Sequence, residues 1–268
     1  HWHFQVIAEK GSDLTFVLKD FQNIWNGRSG IPISGRTNTL VSEDGKNWRI
    51  VTAELYKDTQ LKFTLHMDTE KLYVASVEPY RISDLEKLLA DVKRNSLVSI
   101  TQVGHTAEGR PLEIVRVGHT KAPYRVFLRA RAHAWEPGGN WVVQGLIRSL
   151  LEKDGGKYLE RYCVYIMPMA NKDGVARGRT RFNTLGKDLN REWDRPADKE
   201  LTPEKYAFEN WLLKMIDQDM KPHLAIDLHN DQGGNLHVNL PTPENAAYTA
   251  NLKRLESLLF KHTWFREG

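Results

Sequence analysis

Alternation of apolar and polar positions dominates the first part of the chain. The runs at 13–21 (DLTFVLKDF), 47–56 (NWRIVTAELY), 60–67 (QLKFTLHM) and 71–77 (KLYVASV) are short and carry alternating or β-branched apolar residues. Between them lie turn-forming clusters such as SEDGKN. Short strands at this spacing, without a long helical pattern, predict an antiparallel β-sandwich domain over residues 1–78.

The period changes near residue 79. Leu85, Leu88, Leu89 and Val92 recur at helical spacing, behind Ser83 as a predicted N-cap and Glu86 as its capping-box partner. Strand-like runs follow at 112–118, 124–132, 162–170, 223–229 and 235–240, alternating with helical patterns at 139–153, 203–218 and 243–261. The last two helices open with Thr202-Pro203-Glu204 and Thr242-Pro243-Glu244, a hydroxyl, a proline and an acid in N-terminal order. Alternating strands and helices predict an α/β domain over residues 79–268, its mixed, largely parallel sheet flanked by helices.

Composition adds little to this picture. With 40% hydrophobic and 27% charged residues, the 268-residue chain has the profile of a soluble globular protein. No apolar run approaches the ~18 residues of a membrane span. The net charge is +4, but Lys and Arg are scattered, which argues against nucleic acid as a partner. One cysteine, Cys163, excludes an internal disulfide. Position 1 is His rather than Met, so the sequence assigns no compartment and reads as part of a longer chain.

The candidate chemistry sits at the strand ends. RARAHAWEPGGNW carries His133 and Glu136 between a strand and the glycine pair that opens a helix. A second strand, HLAIDLH, ends on His229. Catalytic zinc takes three protein ligands and keeps one position open, commonly with two ligands from a short motif and one from a distant element. In a parallel sheet, strand ends of this kind share an edge. Alone, a histidine at a strand end is more often a hydrogen-bonded surface residue than a ligand. The loop at 171–193 (NKDGVARGRTRFNTLGKDLNREW) adds Arg177, Arg179, Arg181 and Arg191, with Asn183 and Asn190, a donor density suited to an anion.

Taken in order, His-x-x-Glu, Asn-x-Asp-Gly, Gly-Arg-x-x-Asn-x-x-Gly-x-Asp-Leu-Asn-Arg and a strand-end His resemble the zinc metallocarboxypeptidases. The segments LKFTLHMDTEKLYVASVEPYRISDLEKLL and HTAEGRPLEIVRVG resemble the cytosolic carboxypeptidase branch, in which a β-sandwich precedes the catalytic domain. The resemblance implies one zinc ion on His133, Glu136 and His229. It implies that Asn190 and Arg191 bind the terminal carboxylate of a peptide, that Arg181 polarises the scissile carbonyl, and that Asp188 orients the first zinc histidine. The implied partners are peptide or protein C-termini, acidic ones favoured by Arg177 or Arg179, and the implied compartment is the cytoplasm.

The chain departs from the family pattern at Lys172, where relatives often have proline, at Glu192, and at Asn230-Asp231. The family's general-base glutamate is expected beyond residue 268, since the glutamates after His229 are Glu244, Glu256 and Glu267. Two other readings remain open: a zinc amidohydrolase that deacylates N-acyl amino acids, and a catalytically silent relative that binds zinc and peptide C-termini.

Overall fold

The computed structural model describes residues 2–25, 28–31, 33–35, 37–230, 236–238 and 245–263. The chain falls into two compact units, His1–His229 and Asn230–Gly268.

In the first unit, β1 (His3–Ile7), β5 (Thr39–Ser42), β6 (Arg49–Val51) and β9 (Lys71–Ala75) form an antiparallel sheet in the order β1-β9-β5-β6. Strands β2 (Asp13–Leu18), β7 (Glu54–Tyr56) and β8 (Gln60–His66) form a second, ordered β2-β8-β7, and β3 (Asn23–Trp25) pairs with β4 (Arg28–Gly30). The alternation explains the layering. Val6, Val41, Leu72 and Val74 from one sheet and Leu61, Phe63 and Leu65 from the other share one apolar core, with Phe16 stacked on Phe63 at 5.3 Å. This is the antiparallel sandwich the pattern predicts, with additional strands β1, β3, β4 and β5.

The five-stranded sheet combines β10 (Val98–His105), β11 (Pro111–Val117), β12 (Tyr124–Ala130), β13 (Tyr162–Met167) and β14 (Leu224–Leu228) in the order β10-β11-β13-β12-β14. It is mixed: β13-β12 and β12-β14 are parallel, β10-β11 and β11-β13 antiparallel. Strand β10 escapes the sequence pattern because it is an edge strand with exposed Thr101 and Gln102.

Helices cover both faces. Leu88 and Val92 of α1 (Ile82–Val92) and Val143, Ile147 and Leu150 of α2 (Gly138–Leu151) pack with Leu128, Ala130, Val164 and Ile166. Residues one position out of phase, Phe127, Cys163, Tyr165 and Met167, pack with Trp211 and Met215 of α5 (Pro203–Asp217) on the other face. Two short helices, α3 (Gly156–Leu159) and α4 (Lys172–Ala176), flank β13.

The helix starts differ from expectation in two places. Helix α1 begins at Ile82 with Arg81 as N-cap, because Asp84 rather than Glu86 reaches back, accepting from the Arg81 backbone N–H at 2.8 Å. Thr202 occupies the N-cap of α5, but its hydroxyl donates to the Asp198 carbonyl and gives no capping bond.

In the second unit α6 runs Ala246–His262, capped by Asn245, whose side chain accepts from Tyr248 N. The Thr242-Pro243-Glu244 signature and positions 235, 239 and 240 of the strand expected at 235–240 lie outside the described residues, and 236–238 form no strand. No helix among the described residues is long and apolar enough to cross a membrane.

Candidate metal centre and its carboxylate loop

Strands β12 and β14 are parallel neighbours, so their C-terminal ends lie side by side, with Ala130 opposite Leu228. The chain leaves β12 abruptly: Arg131 adopts φ +61°, a left-handed conformation that ends the strand. Its buried guanidinium holds the turn, donating to the Ala134 carbonyl at 2.8 Å and to Asn140 Oδ1 at 2.8 Å. Desolvation pulls its pKa down to about 10. Gly139 at the start of α2 permits close approach, since a Cβ there would stand 3.0 Å from Leu228 Cβ and 3.1 Å from the Leu228 carbonyl oxygen. The helix thereby packs directly beneath the strand that carries His229.

His133, Glu136 and His229 converge, with one ligand-type atom from each within 4.8 Å of the others. His133 and Glu136 are buried and His229 half-buried. Glu136 divides its carboxylate between the histidines: Oε1 lies 2.8 Å from His133 Nδ1 and Oε2 2.7 Å from His229 Nδ1. Each ring's other nitrogen faces its own carboxylate, His133 Nε2 at 3.1 Å from Asp188 Oδ1 and His229 Nε2 at 3.0 Å from Asp227 Oδ2. A carboxylate behind each imidazole holds the proton on Nε2 and aims the Nδ1 lone pair inward. Two imidazole nitrogens and a carboxylate, all directed at one point, are the donor set of catalytic zinc.

The charges fit that reading. Burial alone would raise the carboxyls of Glu136, Asp188 and Asp227. Hydrogen bonds and charges from His133, His229, Arg181 and Arg129 outweigh it and hold all three below the usual carboxylate range. Burial likewise disfavours a charged His229, but Asp227 and Glu136 override it and lift the ring to about 9. His133 is raised for the same reason by Asp188 and Glu136. Without metal His229 is thus held as an imidazolium between carboxylates at neutral pH, and His133 is shifted in the same direction. Because the folded pKa of His229 exceeds its ordinary 6.5, its stabilisation of the metal-free fold is complete below about 6.5 and is lost as pH rises through about 9. Zinc must displace these protons. Calorimetric titration at pH 7 in buffers of different ionisation enthalpy is therefore expected to show at least one proton released per zinc. The apparent affinity should rise roughly tenfold per pH unit up to about pH 9, and release of no proton would contradict this arrangement.

The loop from Asn171 to Trp193 wraps the same edge. Asn171 caps α4 through Gly174 N and donates to the Ala132 and Arg181 carbonyls, tying the loop to the end of β12. Trp135 N donates to the Thr180 carbonyl at 2.9 Å. Arg181 Nε donates to Asp188 Oδ2 at 2.6 Å, so one carboxylate positions both a candidate ligand and this arginine. Asn190 is half-buried beside Asp188, and Arg191 is exposed with Nη1 on the Asn190 carbonyl.

Other residues of the loop serve its architecture. Asn183 is buried, accepts from Leu185 N and Lys187 N, and donates to the Leu201 carbonyl and to Glu204 of α5. Arg177 pairs with Glu108. Lys172, the departure from proline, is buried in an ion pair with Glu113, at 2.6 and 2.8 Å. Of the late glutamates, Glu256 is exposed on α6, and Glu244 and Glu267 lie outside the described residues.

Two residues that the sequence reading passed over complete the site, Asp227 and Arg129. Asp227 is the one carboxylate in HLAIDLH and Arg129 follows the apolar run Val126-Phe127-Leu128, and they face one another in register. An unexplained charge beside apolar residues in each of two strands is the signal for such a pair.

The geometry has close counterparts. Residues 85–211 match the family model for zinc carboxypeptidases. The chain is 35% identical over 133 residues to cytosolic carboxypeptidase 6 of Caenorhabditis elegans, covering 46% of this chain and 28% of that protein. It is 30% identical over 168 residues to mouse cytosolic carboxypeptidase 1, covering 62% of this chain and 14% of that protein. The chain thus spans less than a third of the length of either relative. A metallo-carboxypeptidase from Pseudomonas aeruginosa, solved in complex with (2-guanidinoethylmercapto)succinic acid, superimposes with a TM-score of 0.81 at 26% identity, over 100% of this chain and 71% of that one. Residues 85–211 thus resemble a zinc carboxypeptidase domain, and the cytosolic carboxypeptidases are among the relatives the chain is similar to.

Proposed function

We propose that the protein is a zinc-dependent exopeptidase that removes the C-terminal residue of peptides or proteins. The observation that carries this reading is the convergence of His133, Glu136 and His229 at one point, beneath a loop that presents Arg181, Asn190 and Arg191. When bound there, zinc would lower the pKa of a water toward ~7 and act as a Lewis acid on a carbonyl. Three further roles fall to residues of this chain. Asp188 and Asp227 keep the imidazoles in the ligating tautomer. Arg181, tethered to Asp188 and one-fifth exposed, stabilises negative charge that develops on the carbonyl oxygen. Asn190 and Arg191 hold the terminal carboxylate, and that requirement confines cleavage to chain ends, because an internal peptide has no carboxylate to offer.

The test compares the zinc-loaded protein on a peptide, on the same peptide with an amidated C-terminus, and on an N-acyl amino acid. Trimming of the first alone is the expected result. Equal cleavage of peptide and amide would refute the carboxylate clamp, and preference for the acyl amino acid would favour a deacylase. Arg181→Ala is expected to lower kcat about 100-fold to 1,000-fold while leaving zinc content unchanged.

A further inference from the structure

Arg129 touches both halves of the site described above, the histidine side through Asp227 and the loop side through Leu189 and Asn190. It projects from β12 on the α5 face, directly beside Asp227 in the parallel register. The guanidinium is buried, and it grips the Asp227 carboxylate with two nitrogens, Nε to Oδ1 at 3.0 Å and Nη2 to Oδ2. The same Oδ2 faces His229 Nε2. From its other side Arg129 reaches the carboxylate loop, with Nη1 on the Leu189 carbonyl and Nη2 on Asn190 Oδ1, both at 3.3 Å. Trp193 closes over it, its ring centroid 4.6 Å from the guanidinium carbon, and Trp193 Nε1 also donates to Asn190 Oδ1 at 3.1 Å.

These contacts close a ring. Asn190 N donates to Asp188 Oδ1, which faces His133. Glu136 joins His133 to His229, and Asp227 and Arg129 lead back to Asn190. The ring also settles the orientation of the Asn190 amide. Both of its inner neighbours, Arg129 Nη2 and Trp193 Nε1, are obligate donors, so only Oδ1 can face them. The Nδ2 donor is thereby turned away from the ring, and it makes no hydrogen bond among the described residues. An asparagine without these two donors would lose nothing by flipping, and would then present an oxygen to an incoming carboxylate.

We propose that Arg129, covered by Trp193, is the positioning residue that couples the two halves of the site: it turns the Asn190 Nδ2 donor toward the substrate's terminal carboxylate while holding Asp227 on His229. This rests on the carboxypeptidase reading for the Asn190 half, whereas the Asp227 half stands independently of any substrate. A lysine cannot replace the fork, because a single ammonium cannot grip a carboxylate with two nitrogens and reach the loop at once.

Two measurements test it on the folded, zinc-loaded protein. Zinc affinity is read by competition with a chromophoric chelator. Carboxylate recognition is read as the ratio of dissociation constants for a non-hydrolysable phosphinic tripeptide isostere, with a free C-terminus and as its amide. Arg129→Lys is expected to weaken zinc about 10-fold to 100-fold and to shrink the ratio. Trp193→Phe keeps a ring over Arg129 but removes the indole N–H. It should leave zinc affinity within about twofold and shrink the ratio roughly threefold to tenfold. In an Asn190→Ala background, Trp193→Phe should change the ratio no further, which a merely structural tryptophan would not satisfy. Unchanged zinc affinity in Arg129→Lys overturns the proposal, as does full additivity of Trp193→Phe with Asn190→Ala. If the wild-type protein binds isostere and amide equally, the exopeptidase reading fails and the carboxylate half of this proposal with it. The zinc measurement alone then decides whether Arg129 supports the metal ligands. Should Arg129→Lys fail to fold, the Trp193→Phe cycle still decides the Asn190 half, since the Trp193 ring is half exposed.

Discussion

Replacing Glu136 by glutamine is expected to strip the protein of zinc. The substitution preserves size, so packing around the buried side chain survives. It removes the negative charge that lies between the two histidines, whose Nδ1 atoms lie 2.8 and 2.7 Å from its two oxygens. A neutral amide offers one acceptor oxygen in place of two anionic ones, and its NH2 group points a donor at an imidazole that should present a lone pair. If the 10–16 kcal/mol typical of structural zinc is shared among four ligands, losing one costs about 3 kcal/mol, more than a hundredfold in affinity. Metal analysis after dialysis against a weak chelator checks this, and Glu136→Gln retaining stoichiometric zinc would exclude it as a ligand. The variant should also lower the pKa of His229, which Asp227 alone would then support.

The second large effect is on stability, at a residue outside the metal centre. Asp173→Ala is expected to destabilise the metal-free protein by about 3–5 kcal/mol. The Asp173 side chain is fully buried at the start of α4. Its carboxylate accepts from the Thr106 hydroxyl at 2.7 Å, from Glu108 N at 2.7 Å and from Arg110 Nη1 at 2.6 Å. It therefore fastens the β10–β11 turn to the helix that opens the carboxylate loop. Truncation leaves a buried hydroxyl and a backbone N–H without their acceptor and takes a buried partner from Arg110, which keeps only Glu108. For a chain of this size the melting temperature should fall on the order of 10 °C. The measurement belongs on metal-free protein, so that zinc linkage does not mask it. A loss below about 1 kcal/mol would mean that water or a rearranged Glu108 replaces the carboxylate. Asp173→Asn, which keeps an acceptor oxygen, should fall between the two.

Both residues stand in short motifs, but the sequence made them unequally legible. His133 and Glu136 lie three apart at a strand end, and proximity along the chain already implies proximity in space. Asp173, in Asn-Lys-Asp-Gly, belongs to the motif that helped to point to the family, yet its work is done on Thr106 and Arg110, far away in sequence. Lys172 departs from the proline common in relatives, and the reason emerges only with Glu113 of β11 beside it. Asn183 had the composition of an anion donor, and burial turned it into a brace between the loop and α5.

What the sequence determined by itself was whatever depends on local period and neighbouring residues. The alternation of 2 specified the sandwich strands, the switch to helical spacing specified the α/β part, and His-x-x-Glu ahead of a glycine pair specified two donors and a close helix. These follow from steric and hydrophobic rules that act over a few residues. Tertiary structure alone decided the rest. It made β12 and β14 parallel neighbours, which brought His229 to Glu136. It set Arg129 opposite Asp227, and it folded the carboxylate loop back so that Asp188 faced His133. The physical reason is that a lone charge in an apolar strand can be accommodated only by a partner, and the identity of that partner is a property of strand order and register, which no short-range pattern encodes.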